Sequence, residues 1–213
     1  MKTKFTHILV ILCLSMISCE GNLEPELFDQ ITPENFLTNE DDVKTAVTGV
    51  YAEFRGISEW GRYKTSWGSV MTLQEVPTDL WAANWFYKAH TDFMWKATDY
   101  FVCEIFEFFV PAITKATALI ARIQDAPVSD DIKNRYIAEL RVVRALWMYD
   151  LFDLYGPVPA ITDPEKILNP TQDFTVTRPS REEYITFVET ELKEVINACL
   201  LYTSPSPRDG ATS

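Results

Sequence analysis

Between Ile132 and Tyr155 the apolar side chains recur at steps of three and four. Ile132, Tyr136, Leu140, Val143, Trp147, Leu151 and Leu154 make one helical stripe. Ala145, Met148, Phe152 and Tyr155 make a second. A helix that is apolar on two faces is sandwiched between neighbours, so the pattern predicts a helix inside a helical array. Arg141 and Arg144 lie three apart on one side of it. Gly156 suits the left-handed position after the last turn, and Pro157 and Pro159 prevent continuation.

The same periodicity predicts helices on either side. Thr32-Pro33-Glu34 reads as a helix start with proline in the first turn. Thr38 to Asp41 offers a capping residue and early acids. Val43, Ala46, Val47, Val50 and Phe54 then form an amphipathic stripe closed by Gly56. A further helix is expected over about 91–109. Pro111 starts or kinks another through Ala112, Ala116, Leu119, Ile120 and Ile123, ending near Pro127. Ser129, with Asp130 and Asp131, caps the two-sided helix. Residues 158–176 read as a connection bearing Pro and Asp. Ser180 and Glu183 form a capping box for a last helix carrying Tyr184, Phe187, Val188, Glu191, Leu192 and Ile196. The fold class is all-α.

The two ends read differently. Lys2 and Lys4 precede an apolar run from His7 to Ile17 that is too short to span a bilayer. The run ends in Met16-Ile17-Ser18-Cys19, which suggests a lipobox. Cleavage before Cys19 would leave its thiol and amine to carry acyl chains, and several chains anchor stably where one does not. The alternative is an ordinary secretory signal with a chance cysteine. At the other end, CLLYTSPSPRD reads as the translation of a transposase sequencing adaptor; the alternative is a disordered tail. The expected organisation is a signal peptide over 1–18, an acidic tether over 19–31, a helical domain over 32–198 and adaptor read-through over 199–213.

The two-sided helix and its stop resemble a segment of the SusD/RagB family of outer-membrane nutrient-binding lipoproteins. That family carries E-x-R-x-x-R-A, an aromatic-rich turn and L-x-x-x-(F/Y)-G-x-V-P. Glu139, Arg141, Arg144, Ala145, Leu151, Tyr155, Gly156, Val158 and Pro159 match in register. The blocks NFLTNEDDVKTAVTGVY and R-P-S-x-x-E-x-Y also resemble the family. Taken singly, Arg141 and Arg144 read as interhelical ion-pair partners, with Glu139 a local partner, and not as ligand binders. The resemblance implies a tetratricopeptide-like array of antiparallel helix pairs with a Trp-rich irregular insertion. It also implies a surface lipoprotein of the outer membrane that captures oligosaccharides and sits on a SusC-like TonB-dependent transporter. Family members are longer than this chain, so an N-terminal fragment is expected, with part of the ligand site outside it. Peptide capture, as in RagB-like members, is the alternative within the family.

Composition narrows the chemistry. The formal charge is −12 with no basic cluster, which disfavours nucleic acid and adhesion to anionic lipid through charge. Contact with a membrane would then be through the lipid anchor only. Within 20–198 the one cysteine is Cys103 and the one histidine His90, so neither an intramolecular disulfide nor a zinc site is expected. Seven scattered glycines form no phosphate loop, and no cofactor is implied.

Binding chemistry is concentrated between Gly56 and Thr98. Trp60, Trp67, Trp81, Trp85 and Trp95 lie there, five of the chain's six tryptophans. Flat aromatic rings take the C–H faces of sugars while polar side chains take the hydroxyls. Trp81, Trp85 and Phe86 surround Asn84, and Trp60 flanks Arg62, so these six residues are the candidate ligand contacts. Such aromatics also serve as core. A glycosidase would need two carboxylates about 5–10 Å apart across a cleft, for which Glu75 with Asp79 or Asp150 with Asp153 are candidates. A helical scaffold for protein partners, without ligand, is a third reading. The sequence favours non-catalytic glycan binding.

Overall fold

Every segment that carries a strong 3.6-residue stripe is helical. The structure, a computed structural model, describes residues 36–54, 70–81, 87–168 and 175–199. Within them lie α1 (Glu40–Ala52), α2 (Val70–Glu75), α3 (Lys88–Thr91), α4 (Tyr100–Asp125), α5 (Asp130–Tyr155), α6 (Pro164–Leu168) and α7 (Arg181–Cys199), with no strand among the described residues. The signal, the tether, Cys19, the Thr32-Pro33-Glu34 start and residues 200–213 lie outside the described set.

The two-sided helix is α5, and it is central. It packs against α4 on one side, α7 on another, and also meets α1 and α2. The short link 126–129 folds α4 back on α5 as an antiparallel pair. Trp147, fully buried, stands where three elements meet. Its ring centroid is 5.1 Å from that of Phe54 and 6.1 Å from that of Phe109. Leu140, Leu151, Ile105, Ile113 and Ile123 fill the same interior. Each such side chain contributes about 1.5–3 kcal/mol through removal from water, so the helix pair is held by its seam more than by helix propensity.

Local signals set the helix ends. Asn39 caps α1, its side chain accepting from the Asp42 amide at 3.0 Å. Ser180 and Glu183 make the reciprocal box at the start of α7: the Glu183 amide donates to Ser180 Oγ at 3.2 Å, and the Ser180 amide donates to the Glu183 carboxylate at 2.8 Å. Ser129 is the N-cap of α5, but its side chain makes no capping bond. Gly156 closes α5 with φ of 73°, its amide donating to Phe152 O at 2.9 Å.

Three expectations are corrected. The helix expected from about residue 91 begins at Tyr100, because the chain first turns through α3 and a loop. Pro111, expected to start or kink a helix, does not start one; α4 runs through it from Tyr100 to Asp125. An internal proline costs one hydrogen bond and crowds the preceding turn. The ring of Pro111 is exposed, while Phe109, Ala112, Ile113 and Ala116 around it are buried, so packing on α5 overrides the local preference. Finally, α1 ends at Ala52, ahead of Gly56, which lies outside the described residues. The Trp-rich insertion is described only over 70–81 and 87–99, where it forms α2, α3 and turns.

Candidate functional site

Arg141 and Arg144 sit one turn apart on α5, and α7 brings Glu191 to both. Arg144 is 4% exposed and Glu191 6%. Arg144 Nε donates to Glu191 Oε2 at 3.1 Å, and Nη2 bonds to the same oxygen. Arg141 Nε takes Oε1 at 2.9 Å and reaches Glu194 as well. Arg144 Nη1 donates to Thr117 Oγ1 on α4 at 2.8 Å. Arg144 also lies over the Phe187 ring at 5.4 Å. Glu139 accepts from the Tyr51 hydroxyl at 3.3 Å, and no pair with either arginine forms. The network therefore ties α4, α5 and α7 together; Arg144, Glu191 and Thr117 are closed to solvent, while Glu194 stands at the surface. Ala145, Leu151 and Val158 are core. This part of the motif is architecture.

Of the six candidate ligand contacts, Trp60, Arg62, Asn84, Trp85 and Phe86 lie outside the described residues. Trp81 is described: it follows α2 and its turns, and is 42% exposed. Glu75 and Asp79 lie on and after α2. Asp150 is buried on α5 whereas Asp153 is exposed, so these two carboxylates do not share one opening.

The structure opens a cleft of about 370 Å³ next to that stretch, within the range of ligand pockets. Four chain segments build it. The helix α2 and the turn after it supply Leu73, Gln74 and Pro77; α3 and its loop supply His90 and Trp95; α4 supplies Val102; the end of α5 supplies Asp153 and Tyr155. Gln74 Nε2 donates to Asp153 Oδ2 at 2.9 Å, joining α2 to α5 across it. Tyr155, a motif residue, donates through its hydroxyl to Val102 O at 2.7 Å, and burial pushes its phenol well above the ordinary range. Tyr155 thus has two places at once, closing the helix and walling the cleft.

His90 is 4% exposed, and neither ring nitrogen has a hydrogen-bond partner among the described residues. Its ring meets Phe101 edge-on at 5.7 Å. Burial holds the imidazole below its usual value, opposed by the charge of Asp99. Over it lies Trp95, 42% exposed. The loop that carries Trp95 is strained. The Met94 amide donates to Ala89 O at 2.7 Å, which closes α3 and leaves Phe93 at φ of 55°. Only glycine adopts that conformation readily, and strain of about 1–3 kcal/mol in such residues concentrates at functional sites. Sequence reasoning counted Trp95 among the aromatics but nominated neither it, His90 nor Gln74 for ligand, and named Asp153 only as half of a carboxylate pair with Asp150. The available signal was a lone histidine three residues from an exposed aromatic run, HTDFMW.

Among the described residues no three His, Cys, Asp or Glu side chains gather as a metal site, and no helix is long and apolar enough to cross a membrane.

No family model matches the chain, and neither does a curated protein sequence. Solved structures do. A SusD-like protein from Bacteroides fragilis superposes with a TM-score of 0.57 at 22% identity, over 77% of this chain and 30% of that one. A laminarin-binding SusD-like protein gives 0.55 at 22%, over 75% of this chain and 34% of that one. The chain spans about a third of the length of the solved proteins it matches. The likeness shows the fold: this is an all-α, SusD-like helical array, in agreement with the resemblance carried by the α5 motif.

Proposed function

We propose that the chain is part of a SusD/RagB-family lipoprotein that binds a glycan and does no chemistry on it. The observation that carries this reading is the cleft beside α3. A half-exposed indole lies over a buried imidazole that has no hydrogen-bond partner among the described residues, and an amide–carboxylate pair joins the cleft's two sides. That is the composition a sugar needs: a flat apolar face for its C–H bonds and polar groups for its hydroxyls. The SusD-like fold supports it, since one of the similar structures is a laminarin-binding protein. Binding is favoured over hydrolysis by the lining. Glycoside hydrolysis needs two carboxylates flanking the bond, and Asp153 is the one carboxylate among the described lining residues. The wider setting is proposed on the sequence: lipidation at Cys19, attachment to the outer membrane, and delivery of oligosaccharide to a SusC-like TonB-dependent transporter.

The test is a titration of the full chain with neutral oligosaccharides, laminarin fragments among them, followed by calorimetry and by reducing-end release. Saturable binding without release is expected. Trp95→Ala should weaken it about ten- to a hundredfold, as loss of one stacking platform contributes about 1–3 kcal/mol. Release of reducing ends would make the protein an enzyme, and no binding to any glycan would leave peptide capture or a scaffold without ligand.

A further inference from the structure

The cleft also discriminates among sugars by charge; this step rests on the glycan reading above. Its polar lining consists of Gln74, Asp153 and His90 together with the tied-up hydroxyl of Tyr155, and no lysine or arginine is among the described lining residues. An anionic ligand loses its hydration on entering a cleft and needs a cation or converging N–H donors in return. Here it would meet a carboxylate instead. Like charges a few ångströms apart at a partly wet site repel enough to weaken binding about tenfold.

The remaining hydrogen-bonding capacity points the same way. Gln74 holds one oxygen of Asp153. The other carboxylate oxygen and the Gln74 carbonyl oxygen carry no hydrogen bond among the described residues, so both suit a donor. A sugar hydroxyl can donate to either of these oxygens, whereas a carboxylate or sulfate only accepts and satisfies neither.

We infer that the cleft takes the hydroxyl-bearing edge of an uncharged sugar, and that Asp153 is the residue that rejects uronate-bearing or sulfated glycans. The full chain would be titrated with a panel of neutral oligosaccharides (β-1,3-glucan, mannan, xylan) and with uronate oligosaccharides of equal length. The best neutral ligand is expected to bind at least tenfold tighter than any uronate. Asp153→Asn should narrow that ratio at least tenfold, mainly by admitting the uronates, and Trp95→Ala should weaken the neutral ligand about ten- to a hundredfold. Uronates that bind as well as neutral sugars, or a ratio indifferent to Asp153→Asn, overturn the inference and leave the glycan reading standing. So does neutral binding that Trp95→Ala does not touch, since the sugar then lies elsewhere on the protein. A panel in which no oligosaccharide of either charge binds removes the glycan reading together with this one.

Discussion

The indole of Trp95 lies nearly parallel to the imidazole of His90, with ring centroids 6.2 Å apart and planes 19° apart. A buried polar ring is thereby roofed by a half-exposed apolar one. This arrangement puts a titratable group inside the protein without a hydrogen-bond partner among the described residues, and it has a consequence for stability.

Burial keeps His90 below its ordinary value of 6.5, with the Asp99 charge acting against it. The unfolded chain therefore binds this proton more readily than the folded chain. By linkage, the contribution of His90 is complete above about pH 6.5 and is lost as the pH falls through and below that value. Melting temperatures measured between about pH 7 and pH 5 should fall less steeply for His90→Phe than for the native protein. Identical slopes would mean that His90 titrates as in water.

Phe93 bends the Trp95 loop at a positive φ while its own ring is 68% exposed. Phe93→Gly relieves the backbone strain and exposes little new apolar surface. Its stability to urea should equal that of the native protein or exceed it by up to about 1 kcal/mol, whereas Phe93→Val should lose about 1 kcal/mol or more. A large loss in the glycine variant would show that the Phe93 ring, 5.5 Å from Trp95, holds the loop instead.

Arg144 and Glu191 are buried together; without Arg144 the Glu191 carboxylate keeps Arg141 on one oxygen and loses its partner on the other. Arg144→Ala should therefore cost about 2–4 kcal/mol in denaturant unfolding, below the cost of a fully stranded charge, and the double change Arg144→Met with Glu191→Leu should recover much of it. Glycan affinity of the folded fraction should not change. An Arg144→Ala protein of native stability that no longer bound glycan would move this residue from the framework to the site.

Cys19 carries the membrane proposal. With the lipobox processed, the protein should partition into detergent and Cys19→Ala into the aqueous phase, since several acyl chains are what make anchoring stable. Equal partitioning of the two would remove lipidation and leave an ordinary secretory signal.

Much of this protein is legible along the chain. The α5 stripes forecast a central helix, because a residue every three or four positions can only face one neighbour. Ser180 with Glu183 marked the start of α7, since the box is a local hydrogen-bond circuit that needs no distant partner. The α5 motif pointed to the SusD-like fold. What failed was local preference against burial: Pro111 argued for a break, and the seam of Phe109, Ala112, Ile113 and Ala116 against α5 overrode it.

The cleft was decided by tertiary structure. Gln74 and Asp153 are 79 residues apart in the chain and 2.9 Å apart in space. Periodicity reports which side of a helix is wet; it carries no information on which wet sides meet. His90 shows the same divide. Its neighbours along the chain are aromatics that could face either way, and only the folding of α3 under Trp95 and against Phe101 makes it a buried ring with no hydrogen-bond partner among the described residues. Helices follow from patterns within one segment, because their hydrogen bonds close within a few residues. A site assembled from four segments depends on how the helices pack, and that is fixed by the shape of the whole interior.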